Sequence, residues 1–234
     1  PILRDFKNIE HRAAVLTWSD RTPRLDADGQ PVTRWDGVTT MRHPATGEEV
    51  PDPEARVQIY DYADPRPADW PEATFIVGNP PFIGTKRVRD LLGDGYVEAL
   101  WKAYPRMPQN ADFVMFWWQK AALKARAYDG QDGLRRFGLI TTNSLSQIFN
   151  RRVLEPHLKD SKNPLSLLFA VPNHPWVDTV DGATVRIAMT VGASGNRPGR
   201  LVSVTKESAE RAEAEGRHVE LKTEIGSIFS DLRI

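Results

Sequence analysis

Four consecutive residues, Asn79-Pro80-Pro81-Phe82, carry the most specific combination of chemical groups in the chain. The prolines have fixed φ angles and no backbone N–H, so the chain must turn or stay extended there. The side-chain oxygen of Asn79 and the carbonyl of Pro80 could each accept one hydrogen of an amine on a planar ring, which would aim the nitrogen lone pair at an electrophile. The Phe82 ring could stack on that planar ring, a contact worth about 1–3 kcal/mol. A plain Asn-Pro turn beside a core phenylalanine is the alternative interpretation.

The residues that precede this turn predict the strand that would position it. Phe75–Val77 contains a β-branched pair and no charge, which is typical of a short buried strand. Arg136–Thr142 predicts a second buried strand, which ends in the polar residues Thr-Asn-Ser at 142–144. Ligands bind at the carboxyl ends of strands in open α/β sheets, so both polar ends are expected to face a ligand.

The remaining segments predict an α/β protein with further helices and strands. Apolar residues at helical spacing predict a helix over Ala111–Tyr128, with Asp112 in its first turn. Other predicted helices are Tyr96–Tyr104, Ser146–His157 and Glu207–Glu220, and other predicted strands are Pro164–Val171, Thr184–Val191 and Arg200–Thr205. The strands Pro164–Val171 and Thr184–Val191 could pair as an antiparallel, hairpin-like edge of the sheet. Polar residues and turn signals over 21–73 predict a small β-hairpin or meander.

Composition excludes some classes of protein and leaves others open. The net charge is zero, with 31 basic and 31 acidic residues, which is a poor overall signature of a nucleic-acid-binding protein. The segment Phe75–Asp160 nevertheless carries five more basic than acidic residues, and a basic centre could contact phosphates. The chain has no cysteine, which excludes disulfides and agrees with a cytoplasmic location. It has neither an apolar run long enough to span a membrane nor a signal-peptide pattern.

Several motifs, in order along the chain, resemble those of S-adenosylmethionine-dependent DNA adenine-N6 methyltransferases. The resemblance is to the large bacterial type IIG and type IIL restriction-modification enzymes in particular, and Asn79-Pro80-Pro81-Phe82 resembles their motif IV. The other matching segments are Ala111–Lys120, Phe137–Ser144, Phe149–Leu154, Pro172–Trp176 and Ala183–Val191. Together they extend the resemblance from about Ile2 to the C-terminus.

This resemblance implies a role for each residue of the turn. Asn79 and Pro80 would bind and polarise the amine of an adenine that is flipped out of double-stranded DNA, and Pro81 and Phe82 would complete the catalytic motif. An aromatic residue precedes the motif VIII strand in this family, which makes Trp176 the second residue that would stack on the base. Stacking between Phe82 and Trp176 would recover the few kcal/mol that base flipping costs.

The resemblance also implies contacts with the DNA backbone and with the cofactor. Lys86 and Arg87, which follow motif IV closely, would contact DNA phosphates. Gly78, Asn79 and Asp112 would line the pocket of the cofactor S-adenosylmethionine. The methyl group would pass directly to adenine N6 by in-line displacement, which requires positioning and no metal ion.

The implied fold is part of a class I methyltransferase (Rossmann-like) sheet with a small β-rich insertion near the N-terminus. Residues 1–20 would be the lead-in segment of the methyltransferase domain, and residues 21–73 would be the insertion. Residues 74–205 would carry the catalytic motifs. Residues 206–234 would form a C-terminal helix and the start of a linker to a further domain.

The Gly-rich cofactor loop of this family has no counterpart in the chain. In the family that loop lies upstream of the segment seen here and the target-recognition domain lies downstream, so we expect the catalytic-motif half of a methyltransferase domain. We expect the chain alone to bind S-adenosylmethionine weakly or not at all and to be inactive. The strand ending at Val77 would then be an open, apolar edge, and we expect self-association or covering of the edge by residues 1–73.

Two other functions remain open at the level of sequence. A methyltransferase that acts on a protein glutamine or on RNA could use the same acceptor pair, although those protein methylases usually have Tyr at the position of Phe82. A non-catalytic fragment or assembly module would agree with the missing loop and with Ala13 and Ala14, where the family usually has an Asp that can contact the cofactor.

Overall fold

The computed structural model describes residues 10–178, 184–207 and 219–234 of the chain. They form two compact units. The first takes in the chain up to Trp70 together with Arg89–Pro105, and the second takes in Pro71–Val88 together with Arg106–Ile234. No helix among the described residues is both long enough and apolar enough to cross a membrane. The division of the chain into segments 1–20, 21–73, 74–205 and 206–234, which the sequence suggests, stays a prediction.

The first unit is built on a long β-hairpin. Its strands are β1 (Leu16–Thr17), β2 (Asp20–Pro23), β3 (Thr33–Trp35), β4 (Thr40–Arg42), β5 (Glu49–Pro51), β6 (Arg56–Gln58), β7 (Tyr60–Ala63) and β8 (Arg66–Pro67). Three antiparallel ladders lie one inside the other, because β2 pairs with β7, β3 with β6 and β4 with β5. The β-rich character predicted for residues 21–73 is therefore confirmed.

The next two helices along the chain are α1 (Thr85–Leu92) and α2 (Asp94–Ala103). α2 lies in the first unit. Gly93 separates them with a φ of 85°, a conformation that favours glycine. α2 begins two residues earlier than predicted and includes Gly95. A Cβ on Gly95 would lie 1.8 Å from the carbonyl oxygen of Tyr60, so this close approach of α2 to β7 requires glycine.

The second unit contains a six-stranded mixed sheet. Its strands are β9 (Phe75–Gly78), β10 (Arg136–Thr142), β11 (Leu165–Asp178), β12 (Thr184–Ser194), β13 (Gly199–Glu207) and β14 (Val219–Gly226). Their order is β14-β13-β11-β12-β10-β9. The pairs β9–β10 and β11–β13 are parallel, and the other three pairs are antiparallel. The α/β class and the strand β10 are confirmed, the latter with the bounds that the sequence predicts.

Helices α3 (Met115–Arg126) and α4 (Ile148–Leu158) pack on this sheet, with a 3₁₀ helix at Asn143–Ser146 before α4. α3 packs against β10, β11 and β12, and α4 packs against α3 and β11. The fully buried Trp118 of α3 meets Phe137 of β10 edge to face, with ring centroids 5.5 Å apart. These contacts form the core that holds β10 and its carboxyl end in place.

The start of α3 differs from the prediction. The sequence predicts a helix from Ala111, but α3 begins at Met115 and Asp112 lies in the turn before it. The backbone N–H of Asp112 donates to Asn150 Oδ1 (2.9 Å), and the N–H of Phe113 donates to the carbonyl oxygen of a residue in the turn after β9 (2.9 Å). Since these groups bind distant segments, tertiary contacts override the local helical pattern.

Two predictions about the sheet are wrong. Phe75 and Val77 of β9 are 58% and 88% exposed, although the apolar sequence predicts a buried strand. β9 is the terminal strand and, among the described strands, pairs with β10 alone, so its apolar side chains have little to pack against. β11 and β12 do pair as an antiparallel hairpin, but β13 and β14 extend the sheet beyond β11, so this pair is internal rather than an edge.

The C-terminal region also differs from the prediction. Glu207 ends β13, and Val219–Gly226 forms β14, although the sequence predicts a helix over Glu207–Glu220. The middle of that predicted helix, residues 208–218, lies outside the described residues. In β14 apolar and charged residues alternate, and this period of two is satisfied by pairing with β13.

Candidate functional site

The two polar strand ends meet at the same edge of the sheet. β9 and β10 run parallel, and Gly78 at the end of β9 pairs with Leu139 of β10. Asn79 follows Gly78 directly, and β10 ends three residues beyond Leu139 at Thr142. The parallel pairing therefore places the Asn79 turn beside the end of β10, as predicted.

No hydrogen bond among the described residues occupies the Asn79 and Pro80 acceptor groups of the turn. Asn79 is exposed, Pro80 is buried, Pro81 is exposed and Phe82 is half-buried. Among the hydrogen bonds of the described residues, none involves the Asn79 side chain and none is accepted by the Pro80 carbonyl. Because Pro80 and Pro81 have no N–H, an amine bound there would meet two acceptors and no competing backbone donor from these residues.

The turn is held in place immediately after these acceptors. The Ile83 N–H donates to the Pro81 carbonyl oxygen (3.2 Å), and the Phe113 N–H donates to the Ile83 carbonyl oxygen (2.9 Å). Phe113 is buried and meets Trp117 edge to face at 4.9 Å. The backbone that follows Phe82 is thus fixed to the segment before α3 by contacts that leave the Asn79 side chain open.

Asp112 connects the start of α1 with the end of β10. Its Oδ1 accepts from the backbone N–H of Thr85 (3.2 Å) and from Thr85 Oγ1 (3.3 Å). Its Oδ2 accepts from Ser144 Oγ (2.6 Å) and from Asn150 Nδ2 (2.8 Å). Both carboxylate oxygens of Asp112 are therefore engaged in hydrogen bonds within the chain.

Asn150 is a buried partner that the sequence analysis does not single out. Its side chain accepts from the Asp112 N–H and donates to Asp112 Oδ2 and to the Ser144 carbonyl oxygen (3.0 Å). Asn150 shares the buried face of α4 with Val153 and Leu154. An asparagine at an apolar position of a predicted helix is the signal that could have revealed it, because a buried amide needs partners.

Trp176 lies at the same edge of the sheet as the turn. Ile187 of β12 pairs with Thr142 at the end of β10 and also with His174 of β11. β11 runs in the same direction as β10, so Trp176, two residues after His174, lies beyond the level at which β10 ends. Its side chain is 45% exposed and could contact a ligand.

Lys86 and Arg87 are exposed in the first turn of α1. Neither forms a salt bridge with any of the residues that the structure describes. No cluster of three potential His, Asp or Glu metal ligands occurs within residues 10–178, 184–207 and 219–234. The site thus combines free amide and carbonyl acceptors, aromatic rings and unpaired cations.

Comparisons with known proteins give one family and two distantly similar structures. The family model described as MmeI, DNA-methyltransferase domain matches residues 3–203. The structure of the type IIL restriction-modification enzyme MmeI in complex with DNA is 21% identical, with a TM-score of 0.47 over 69% of this chain and 20% of that chain. The modification subunit of a putative type I restriction enzyme from Vibrio vulnificus YJ016 is 19% identical, with a TM-score of 0.42 over 59% of this chain and 27% of that chain.

The chain therefore spans 20% and 27% of the lengths of those two chains. No curated protein matches it.

Proposed function

The chain belongs to the MmeI DNA-methyltransferase domain family, and from this premise we propose that it transfers a methyl group from S-adenosylmethionine to adenine N6 in double-stranded DNA. The proposed setting is a restriction-modification enzyme of the phage-defence type. The observation that carries the proposal is the open Asn79 side chain beside the Pro80 carbonyl at the carboxyl end of β9. In this proposal the six-stranded sheet is part of a class I methyltransferase sheet.

Asn79 and Pro80 act as paired acceptors for the target amine. Asn79 Oδ1 takes one N–H and the Pro80 carbonyl takes the other, so that the nitrogen lone pair points away from both. Holding the amine in this orientation contributes through positioning, which is the main catalytic effect expected for a direct displacement. Pro81 keeps the turn rigid and adds no donor that could compete for the lone pair.

Phe82 and Trp176 bind the faces of the flipped base. Phe82 is half-buried next to the acceptors, and Trp176 is partly exposed beyond the level of the β10 end. Each aromatic–base stack is worth about 1–3 kcal/mol, which offsets the few kcal/mol needed to unstack the base. Lys86 and Arg87 bind phosphates, because both are exposed cations in the first turn of α1.

The residues at this edge fit part of a cofactor site. S-adenosylmethionine supplies the methyl group when it is bound. Gly78 and Asn79 would line its pocket, since Gly78 has no side chain and the Asn79 amide is unengaged. Asp112 fits a direct contact less well, because Thr85, Ser144 and Asn150 occupy its carboxylate; it would act by holding the segments that border the pocket.

The test is transfer of a labelled methyl group to DNA, by this chain and by a longer chain that contains it. Asn79→Ala is expected to lower transfer at least about 100-fold, because it removes one of the two acceptors that orient the amine. Asn196→Ala, which alters an exposed asparagine between β12 and β13, is the matched control and should retain transfer. Nuclease digestion of the labelled DNA should yield N6-methyladenine.

Transfer to cytosine, to RNA or to protein in place of adenine would contradict the proposed substrate. Full transfer by Asn79→Ala would contradict the proposed role of the turn.

Calorimetric titration of S-adenosylmethionine into this chain provides a separate check on the cofactor. Weak or absent binding is expected for the chain alone, and saturable binding at micromolar concentration would show that these residues form a complete pocket.

A further inference from the structure

Two adjacent apolar side chains are exposed at the start of α4. Ile148 is 59% exposed and Phe149 is 46% exposed, whereas Val153 and Leu154, further along the same helix, are buried. Exposure of two large neighbouring apolar residues costs solvation free energy and suggests a contact with another molecule.

The pair has a rigid support. Asn150, the next residue, is buried and hydrogen-bonded to Asp112 and Ser144. Asp112 in turn binds Thr85, close to the turn that carries Asn79. The first turn of α4 is therefore fixed to the same hydrogen-bonded cluster that borders the candidate site, and the side chains of Ile148 and Phe149 project from a fixed base.

The surroundings of the pair are basic and polar. The Arg152 guanidinium lies over the Phe149 ring, 5.5 Å from its centroid, and forms no salt bridge with any residue in the described part of the chain. The first turn of α4 contains no acidic residue. A planar ring with an adjacent free guanidinium suits a nucleic acid, because bases stack on both groups and phosphates bind arginine.

The location of the pair also points to DNA. The 3₁₀ helix Asn143–Ser146 directly follows β10, and α4 begins two residues after it. The pair thus follows the end of β10, at the sheet edge where the turn after β9 presents Asn79. A base bound at Asn79 has left the duplex, and the gap it leaves must lie near this edge.

We propose that Ile148 and Phe149 insert into the DNA duplex at the step from which the target base is extruded, and that Arg152 binds the adjacent phosphate. Apolar side chains that enter a base step replace part of the stacking that is lost when the duplex is opened. This inference rests on the proposed action on DNA, but it concerns binding to the opened duplex and requires neither cofactor nor methyl transfer.

The test compares the binding of two fluorescein-labelled duplexes of the same sequence by fluorescence anisotropy. One duplex is fully paired and the other has an abasic site at its centre, which leaves a gap for an apolar side chain. The chain is expected to bind the abasic duplex about fivefold or more tightly, as stacking contacts of this kind imply. Phe149→Ala should remove this preference while changing affinity for the paired duplex by about twofold or less.

Ile148→Ala should also reduce the preference for the abasic duplex over the paired one. Arg152→Gln should weaken binding to both duplexes equally and lower the salt dependence by about one unit of slope, as expected for one phosphate contact. Leu123→Ala removes an exposed apolar side chain from α3 and is the matched control; it should retain the preference. Circular dichroism of each variant would confirm that it is folded.

Equal binding of the two duplexes by the unaltered chain, or a preference that survives in Phe149→Ala, would overturn the proposal. Loss of self-association in Phe149→Ala without any effect on DNA binding would also overturn it and would identify the pair as a protein interface. If a longer chain that contains these residues binds S-adenosylmethionine and the abasic duplex but methylates no adenine, the proposed function is disproved and this inference stands.

Discussion

Asp112 and Asn150 hold each other through two hydrogen bonds that run in opposite directions. The Asp112 backbone N–H donates to Asn150 Oδ1 at 2.9 Å, and Asn150 Nδ2 donates to Asp112 Oδ2 at 2.8 Å. Through this pair the first turn of α4 is fixed to the segment that precedes α3. The same carboxylate binds Thr85, so the pair also restrains the start of α1, three residues after Phe82.

Asn150→Ala should destabilise the protein by about 2–4 kcal/mol, because it leaves a buried N–H and a carboxylate with fewer partners. Urea unfolding followed by circular dichroism measures this change. Asn196→Ala, at an exposed position, is the control and should change the free energy of unfolding by less than about 0.5 kcal/mol. A similarly small effect of Asn150→Ala would show that the pair contributes little to stability.

Several elements of the second unit follow directly from local sequence pattern. The run Arg136–Thr142 contains Phe, Leu, Ile and two Thr, residues that favour strands, and it forms β10 with those bounds. The Asn79 turn lies where the prolines predict it, at the end of β9. In both cases the residues that decide the structure are neighbours in the sequence.

Other features depend on residues that are distant in the sequence. The partner of the Asp112 N–H is Asn150, and this contact, which local periodicity does not reveal, moves the start of α3 to Met115. The exposure of Val77 depends on its strand being the terminal one in the sheet. The charged residues over Glu207–Glu220 predict a helix, but charged residues alternate with others in Val219–Gly226, and this alternation matches the pairing with β13.

His157 should make the stability of the protein depend on pH. It is buried, its Nε2 lies 2.7 Å from Gln119 Oε1, and its Nδ1 lies 3.2 Å from Arg126 Nη1. Burial, and then the positive charge of Arg126, lower the pKa of His157 to about 4, while Asp160 acts in the opposite direction.

The unfolded chain binds this proton near pH 6.5, whereas the folded chain binds it near pH 4. The free energy of unfolding should therefore be highest above pH 6.5 and should fall by about 3 kcal/mol between pH 6.5 and pH 4 on account of this residue. Urea unfolding across this range measures the change. His157→Gln should flatten the profile, and His43→Gln, at an exposed histidine, should leave it unchanged; equal profiles for all three proteins would contradict the prediction.

Gly199 should tolerate no side chain. A Cβ at this position would lie 2.0 Å from the carbonyl oxygen of Leu167 and 2.8 Å from Ile228 Cδ1. Gly199→Ala must therefore displace β13 from β11, at a cost of about 2–4 kcal/mol in the free energy of unfolding. Gly138→Ala is the control, because its Cβ would lie 3.6 Å from Val191 in ordinary contact. Equal unfolding midpoints for the two variants would disprove the expected clash.

The open edge of β9 should cause the chain to self-associate. Among the strands that the structure describes, β9 is the terminal one of its sheet, and it carries two exposed apolar side chains, Phe75 and Val77. An edge of this kind can pair with a second copy of the chain unless a charge or another segment blocks it. We therefore expect association that increases with protein concentration in sedimentation velocity experiments.

Val77→Lys should weaken this association about tenfold, because burial of a valine is worth about 1.5 kcal/mol and a lysine at an edge opposes pairing. Val38→Lys makes the same change at an exposed valine of the first unit and is the matched control. It should associate as the unaltered chain does. A single monomeric species at every concentration, or equal association of the two lysine variants, would show that the β9 edge is not the contact surface.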